Sequence, residues 1–219
     1  MPWLLPLLGF LLGSIPFGLL MGKLKGIDIR QHGSGNIGAT NVFRTLGKPS
    51  GIICLLLDFT KGLVPVLIAN HLVASMMNEQ QTTAQSIIVL TALAAIMGHN
   101  YSPWIGFKGG KGIATSAGAI AGLMPPVALG LLILIFIIVT RITKYVSVGS
   151  IATAIALPLL TIWGSFHHGK IADGTWNKPL FIFSLIAGTL AIWKHRANIA
   201  RLRAGTENRI GQKKKEITK

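Results

Sequence analysis

Residues 112–140 read GIATSAGAIAGLMPPVALGLLILIFIIVT, a run without a single charge. About 20 apolar residues suffice for a helix to cross the roughly 30 Å hydrocarbon core of a bilayer. This run is longer than one comfortable crossing. It also holds Pro125 and Pro126 near its middle, where proline removes a backbone donor and breaks a helix interior. The alternatives are one long helix, or two helices joined by a tight reversal at the prolines. They place everything downstream on opposite sides of a membrane.

The rest of the chain supplies the means to choose. Further apolar runs lie at about 3–22, 51–70, 84–101, 146–166 and 179–193. Of the 219 residues, 51% are hydrophobic and only 12% charged, against about a quarter charged in a soluble domain. The class is therefore an integral polytopic membrane protein. A net charge of +15 would suggest nucleic acid in a soluble chain. In a membrane protein it marks cytoplasmic loops, where Lys and Arg accumulate, and no nucleic-acid partner is expected. With the N-terminus outside and seven spans, segments 23–50, 102–112, 141–145 and 194–219 fall inside and hold 18 of the 21 basic residues. Six spans would leave the nine cations of the C-terminal segment outside. The expected fold is all-α, with seven transmembrane helices, the N-terminus outside and the C-terminus cytoplasmic. One helix is short: residues 113–124 make only about 18 Å at 1.5 Å per residue. Lys23 and Lys25 follow the first apolar run rather than precede it, so that run reads as a retained span and not a cleaved leader. Residues 1–203 form one polytopic membrane domain, and 204–219 a basic, disordered cytoplasmic tail, suited to anionic headgroups or serving as a plain topology signal.

This topology brings three unusual segments to one face. Lys108-Gly-Gly-Lys-Gly112 runs into a small-residue helix. Glycines at 109, 110 and 112 let backbone N–H groups converge, a helix N-terminus adds partial positive charge, and Lys111 adds a full one. The pattern is a phosphate cradle without the Walker A spacing. Gly33-Ser-Gly-Asn-Ile-Gly38 matches G-x-G-x-x-G, but its flanks lack the strand–helix–strand context of a dinucleotide site. What remains there is a glycine-rich loop with Ser34, Asn36, Thr40, Asn41 and Arg44, able to hydrogen-bond and clamp phosphate. His195 and Asn198, three apart, share a helix face after the last span. Ser34 and Ser150 are the plausible hydroxyl nucleophiles on that side.

Elsewhere the signals are weaker. Asp58 and Lys61 sit at i,i+3 inside the second span, as a functional or a mutually satisfied pair. His168 and Asp173 match H-x4-D by chance on an outside loop. Cys54 lies in an apolar run and admits no internal disulfide. The six carboxylates show no metal-ligand spacing, which disfavours a Mg²⁺-dependent phosphotransferase; neither metal nor cofactor is expected. An organic-anion transporter is the rival class, since broken helices and basic residues occur there too. A lipid-binding scaffold would not need three converging polar segments.

GSGNIGATNVFR (33–44), GHNYSPWIGFKGGKGIAT (98–115) and WKHRANIARL (193–202) together resemble the three signature motifs of the bacterial acyl-phosphate:glycerol-3-phosphate acyltransferase family, PlsY. The similarity extends through LLGSIPFG, LDFTKG and YVSVGSIATAI. It implies a multi-pass enzyme of the bacterial plasma (inner) membrane with its active site facing the cytoplasm. The implied reaction joins acyl phosphate and sn-glycerol 3-phosphate into lysophosphatidic acid and inorganic phosphate. By resemblance, the catalytic residues are Ser34, Arg44, Lys111, His195 and Asn198. Asn36, Thr40, Asn41, Gly109, Gly110, Gly112 and Ser150 bind substrate. The general base stays open between His195 and a phosphate oxygen of the donor. The acyl chain is expected in a groove beside the small-residue helix, around Ala114 to Gly122. Transient contact with the enzyme that makes acyl phosphate is implied as well.

Overall fold

The computed structural model describes residues 2–76 and 79–211, and all regular structure among them is helical. That is the expected answer to lipid, where every backbone polar group must be satisfied within its own segment. The α-helices are α1 (Leu5–Gly13), α2 (Phe17–Leu24), α3 (Ala39–Leu46), α4 (Lys48–Leu72), α5 (Gln81–Asn100), α6 (Ile113–Leu123), α7 (Pro126–Thr143), α8 (Val146–His167), α9 (Lys178–Lys194) and α10 (Arg196–Arg203). Five helical stretches are long and apolar enough to cross a membrane: Pro2–Leu24, Lys48–Leu72, Gln81–Ile105, Pro126–Thr143 and Val146–His167. Between them stands the shorter apolar α6.

The uncharged run 112–140 divides at its prolines. α6 ends at Leu123, and α7 starts with Pro126 in its first turn, where a missing N–H loses nothing. The shortness of α6 has a packing cause. Gly62 of α4 faces Thr115 and Gly118 of α6 faces Phe59, so closely that added β-carbons would stand 2.0 and 1.9 Å from the opposing carbonyl oxygens. Small residues thus bring the two backbones into direct contact. The pairing sets the start of α6 level with residues 58–62, about 15 Å or more along α4 from Lys48 at 1.5 Å per residue, and its end beside Val66 and Asn70. The glycine-rich loop before α6 therefore dips into the protein to mid-helix depth. This narrows the expected acyl groove: Thr115, Gly118 and Gly122 pack against α4, Ser116, Ala117 and Ala121 keep partial exposure, and Ala114 lines the cavity described below.

The first hydrophobic stretch is broken at Ser14–Pro16, between α1 and α2. A break frees carbonyls that must find other partners in a membrane. Ser102 Oγ donates to Ser14 O at 2.6 Å, and Lys61 Nζ donates to Ile15 O at 2.7 Å. Trp104 Nε1 adds a bond to Ser14 Oγ at 2.7 Å. Lys61 also pairs with Asp58 at 2.8 Å, so the lysine within the second apolar run is satisfied on both sides. α7 leans mainly on α8, and α8 on α9, which leads back to α5. Residues 204–211, the start of the expected tail, fold back over the molecule: Ile210 N donates to Lys144 O at 2.9 Å. The remainder of that tail, 212–219, lies outside the described residues.

Candidate active site

The first wall is the loop before α3. Its organiser is Asn41, only 1% exposed. The Asn41 Oδ1 accepts from Ser34 N at 2.8 Å, while Nδ2 donates to the Ile29 and His32 carbonyls at 3.2 and 3.0 Å. An amide so engaged holds Ser34 in place rather than reaching for a ligand. Asn36 Oδ1 accepts from Gly38 N at 2.9 Å and tightens the same turn. Thr40 and Arg44 stand one helical turn apart on α3, both exposed. Although Arg44 as a whole is open to solvent, its head group borders the cavity; partial desolvation there pulls the guanidinium below its ordinary value, and the charge of Glu207 opposes that shift.

The second wall is the loop Gly109–Gly112. Gly110 N donates to the carbonyl of His99 at 3.1 Å. Gly112 caps α6 with φ of +76°, a conformation open to glycine and strained for most other residues. It turns Lys111 inward, where its Nζ donates to Asn198 Oδ1. Burial lowers the Lys111 ammonium to about 8; Glu207 raises it, while Arg201, Arg44 and Lys194 lower it further.

The third wall follows α9. His195 is buried at 2% exposure, and its Nδ1 lies 2.7 Å from Ala191 O. A carbonyl only accepts, so Nδ1 carries the proton and Nε2 keeps its lone pair. Burial, then the neighbouring Lys111 charge, brings this imidazole down to about 4, so it is neutral near pH 7. Ser150, buried at 3%, lines the cavity from α8 with its hydroxyl donating to Val146 O at 2.9 Å.

The residue that sequence reasoning missed is Glu207. It looked like a solvated acid in a basic tail, yet it is 7% exposed. Its Oε1 accepts from Asn198 Nδ2 at 2.6 Å and Ser147 Oγ at 3.0 Å, and its Oε2 from Arg201 Nε at 2.7 Å. These bonds hold its carboxyl below the usual range although burial pushes the other way. A buried group of cations needs a counter-ion, and Glu207 was the nearest acid in sequence to the third segment. That was the available signal.

The walls enclose a cavity of about 150 Å³. Ser34, Asn36, Thr40, Asn41, Arg44, Lys111, Gly112, Ser150, His195 and Asn198 line it. Gly109 and Gly110 line an adjoining vestibule of about 230 Å³ with Lys194 and Arg196. Ser34, Asn36, Lys111, Asn198 and Arg201 border both spaces. One side of the cavity is apolar: Leu55 of α4, Ile113 and Ala114 of α6, and Phe136 of α7. His168 and Asp173 stay away from it; Asp173 accepts from Thr175 N and Oγ1 at 3.0 and 2.6 Å in a surface turn. Chemically, the arrangement gathers several cations, a neutral imidazole and apolar side chains around one space.

The model of the glycerol-3-phosphate acyltransferase family matches residues 3–205. The glycerol-3-phosphate acyltransferase of Desulforamulus reducens is 46% identical over 206 residues, covering 94% of this chain and 93% of the relative. That of Geobacter sulfurreducens is 44% identical over 208 residues, covering 94% and 96%. A crystal structure of PlsY (YgiH), an integral membrane glycerol 3-phosphate acyltransferase, in its glycerol 3-phosphate form, superposes with a TM-score of 0.82 at 38% identity, covering 96% of each chain. Its lysophosphatidic acid form gives 0.80 at 37% identity, covering 96% and 95%.

Proposed function

This chain belongs to the glycerol-3-phosphate acyltransferase family, and we propose that it moves a fatty acyl group from acyl phosphate to the 1-hydroxyl of sn-glycerol 3-phosphate. The products are lysophosphatidic acid and inorganic phosphate. One observation carries the reading: a cationic cavity with a neutral imidazole opens on one side to an apolar wall and on the other to a basic vestibule. Two phosphate-bearing substrates, one of them a lipid, match that combination.

Acyl phosphate is a mixed anhydride, so its leaving group is already good and no covalent enzyme intermediate is needed. The glycerol oxygen forms a bond to the acyl carbon, and the bond from that carbon to the bridging phosphate oxygen breaks. The hydroxyl proton ends on the departing phosphate, which balances the reaction. Gly109, Gly110, Lys111 and Gly112 hold the donor phosphate. Lys111 and Ser34 also stabilise charge on the oxyanion and leaving group, donors fixed before the reaction begins. Arg44 holds the acceptor phosphate, with the second Nδ2 hydrogen of Asn198 and, on turning away from Val146 O, the Ser150 hydroxyl as further donors, a proximity effect worth several kcal/mol in favourable cases, about 7–11 at the upper end. Asn36 and Asn41 shape the loop that presents Ser34, with Thr40 on the rim.

His195 Nε2 is positioned to accept the hydroxyl hydrogen and aim the attacking lone pair. With a pKa of about 4 it keeps a proton poorly at neutral pH, so the donor phosphate is the better final base. His195→Gln separates the two readings. Near-normal turnover with normal affinities rules out histidine as base. An acid limb in the pH–rate profile that disappears in this variant establishes it.

The acyl chain lies along Leu55, Ile113, Ala114 and Phe136 and reaches the cavity sideways from the bilayer. Seven crossings, with the N-terminus outside and the active site on the cytoplasmic face of a bacterial plasma membrane, fit the 18 of 21 cations on one side. Residues 1–203 then form one catalytic domain, to which 204–211 contribute Glu207. Contact with the enzyme that supplies acyl phosphate rests on the chemistry alone. The test is phosphate release from palmitoyl phosphate in detergent, with and without glycerol 3-phosphate, and with acyl-CoA or acyl-carrier-protein thioesters as alternative donors. Release that depends on the acceptor supports the reading. Transfer from thioesters but not from acyl phosphate overturns it, and an anion transporter produces neither signal.

A further inference from the structure

Asp58, Lys61 and His99 gather beneath the phosphate loop, and none has a part in the chemistry above. They are 2%, 5% and 4% exposed. Lys61 pairs with Asp58 Oδ1 at 2.8 Å and donates to Ile15 O at 2.7 Å. His99 Nδ1 stands 3.7 Å from the same Asp58 oxygen, an electrostatic contact beyond hydrogen-bond length. The far edge of the imidazole presses on the loop: a β-carbon at Gly110 would lie 2.1 Å from His99 Nε2. The His99 carbonyl also takes the Gly110 N–H at 3.1 Å. A line of contacts thus runs from the break in the first span through Lys61, Asp58 and His99 to Gly110, next to Lys111.

Ionisable groups at membrane depth are expensive and persist where they do something. Satisfying the Ile15 carbonyl accounts for Lys61, and pairing with it accounts for a carboxylate at 58. Neither accounts for a histidine at 99, since an aliphatic side chain would fill the space under Gly110. Both Asp58 and His99 border the reaction cavity, so the tie meets the loop from the substrate side of the fold.

We propose that Asp58 and His99 are positioning residues that fix the height and tilt of the Gly109–Gly112 loop, and through it the affinity for the donor phosphate. The proposal rests on the loop's assignment to acyl phosphate given above. Its test uses the full chain in detergent, with separate KM values for palmitoyl phosphate and glycerol 3-phosphate, kcat, and thermal protection by inorganic phosphate. His99→Leu and Asp58→Asn should raise KM for palmitoyl phosphate roughly tenfold or more, with KM for glycerol 3-phosphate and kcat changed no more than about threefold. Protection by inorganic phosphate should weaken in parallel. His99→Gln, which keeps a polar donor toward Asp58, should recover most of the affinity. Gly110→Ala should raise the same KM in the parent, and add markedly less when combined with His99→Ala, because the ring it would strike is gone.

Should Asp58→Asn fail to fold, the His99 series carries the test alone, because it leaves the Asp58–Lys61 pair intact. Lower thermal stability with both KM values unchanged would show a space-filling ring and overturn the proposal. A parallel rise in both KM values, or an additive cycle with Gly110, would do the same. A parent protein that releases phosphate without needing glycerol 3-phosphate would count against the acyltransfer reading instead. Phosphate protection would still report on the loop.

Discussion

Lys111 gives the most exacting test of the site, because its charge state falls within an accessible pH range. Burial holds its ammonium at about 8. The group is charged below that value and neutral above it, so activity that needs the cation is present at low pH and lost as pH rises. For a single titration the charged fraction is about 90% one unit below the pKa and about 10% one unit above. Since kcat/KM reports the free enzyme, it should be near its plateau at pH 7, about halved near pH 8, and roughly tenfold lower at pH 9. Phosphate monoesters have a second pKa near 6 and are about 90% dianionic by pH 7, so a limb centred near pH 8 does not come from the substrates. Lys111→Arg keeps its charge throughout the range. Its plateau should drop about ten- to a hundredfold, less than the roughly 10²–10³ of a donor lost outright, because the charge is kept and only its geometry changes, but its alkaline limb should vanish. Glu207→Gln should move the limb to lower pH, because the Glu207 carboxylate raises the Lys111 pKa. The assay is phosphate release at low substrate concentration, from about pH 6.5 to 9.5. A limb that survives unchanged in Lys111→Arg would refute the assignment.

Three further outcomes follow from the packing. Asn41→Ala removes three hydrogen bonds that shape the Ser34 loop; at about 1 kcal/mol each, a thermal unfolding shift should accompany a fall in kcat/KM although the side chain holds no ligand. Gly118→Leu drives a side chain into the Phe59 carbonyl, 1.9 Å from the would-be β-carbon, and should destabilise by several kcal/mol, above the roughly 1–3 of ordinary overpacking; a melt in detergent measures it. Phe136→Ala enlarges the apolar wall and Ala114→Phe narrows it, so competition between acyl phosphates of different length should shift preference toward longer and shorter chains respectively. Unchanged preference in both variants places the chain elsewhere.

Hydropathy made the helical class legible, and the Pro125–Pro126 pair marked the helix break that the structure contains between Leu123 and Pro126. Charge asymmetry grouped the three polar segments, and their side chains border two adjoining cavities. Other features were hidden for physical reasons. An asparagine that binds a ligand and one that pins a loop look alike in sequence, so Asn41 read as the former while its amide does the latter. Glycines and alanines permit both grooves and close helix contacts, and only the position of α4 shows that Gly118 serves a contact. His99 meets Asp58 across 41 positions of chain, beyond the reach of local patterning. Glu207 sits among cations in a segment that composition describes as solvated, and its burial depends on the fold of 204–211 onto the turn at Lys144.

The depth at which α6 begins also governs how the two substrates arrive. On the proposed reading, an amphiphilic donor arrives in the plane of the leaflet with its tail along Leu55 and Phe136, and its phosphate settles on Gly109 and Gly110, which line the basic vestibule. A water-soluble acceptor bound for Arg44 and Ser150 finds that vestibule narrowed once the donor is in place. Preferred binding of glycerol 3-phosphate first is the kinetic signature of that dip.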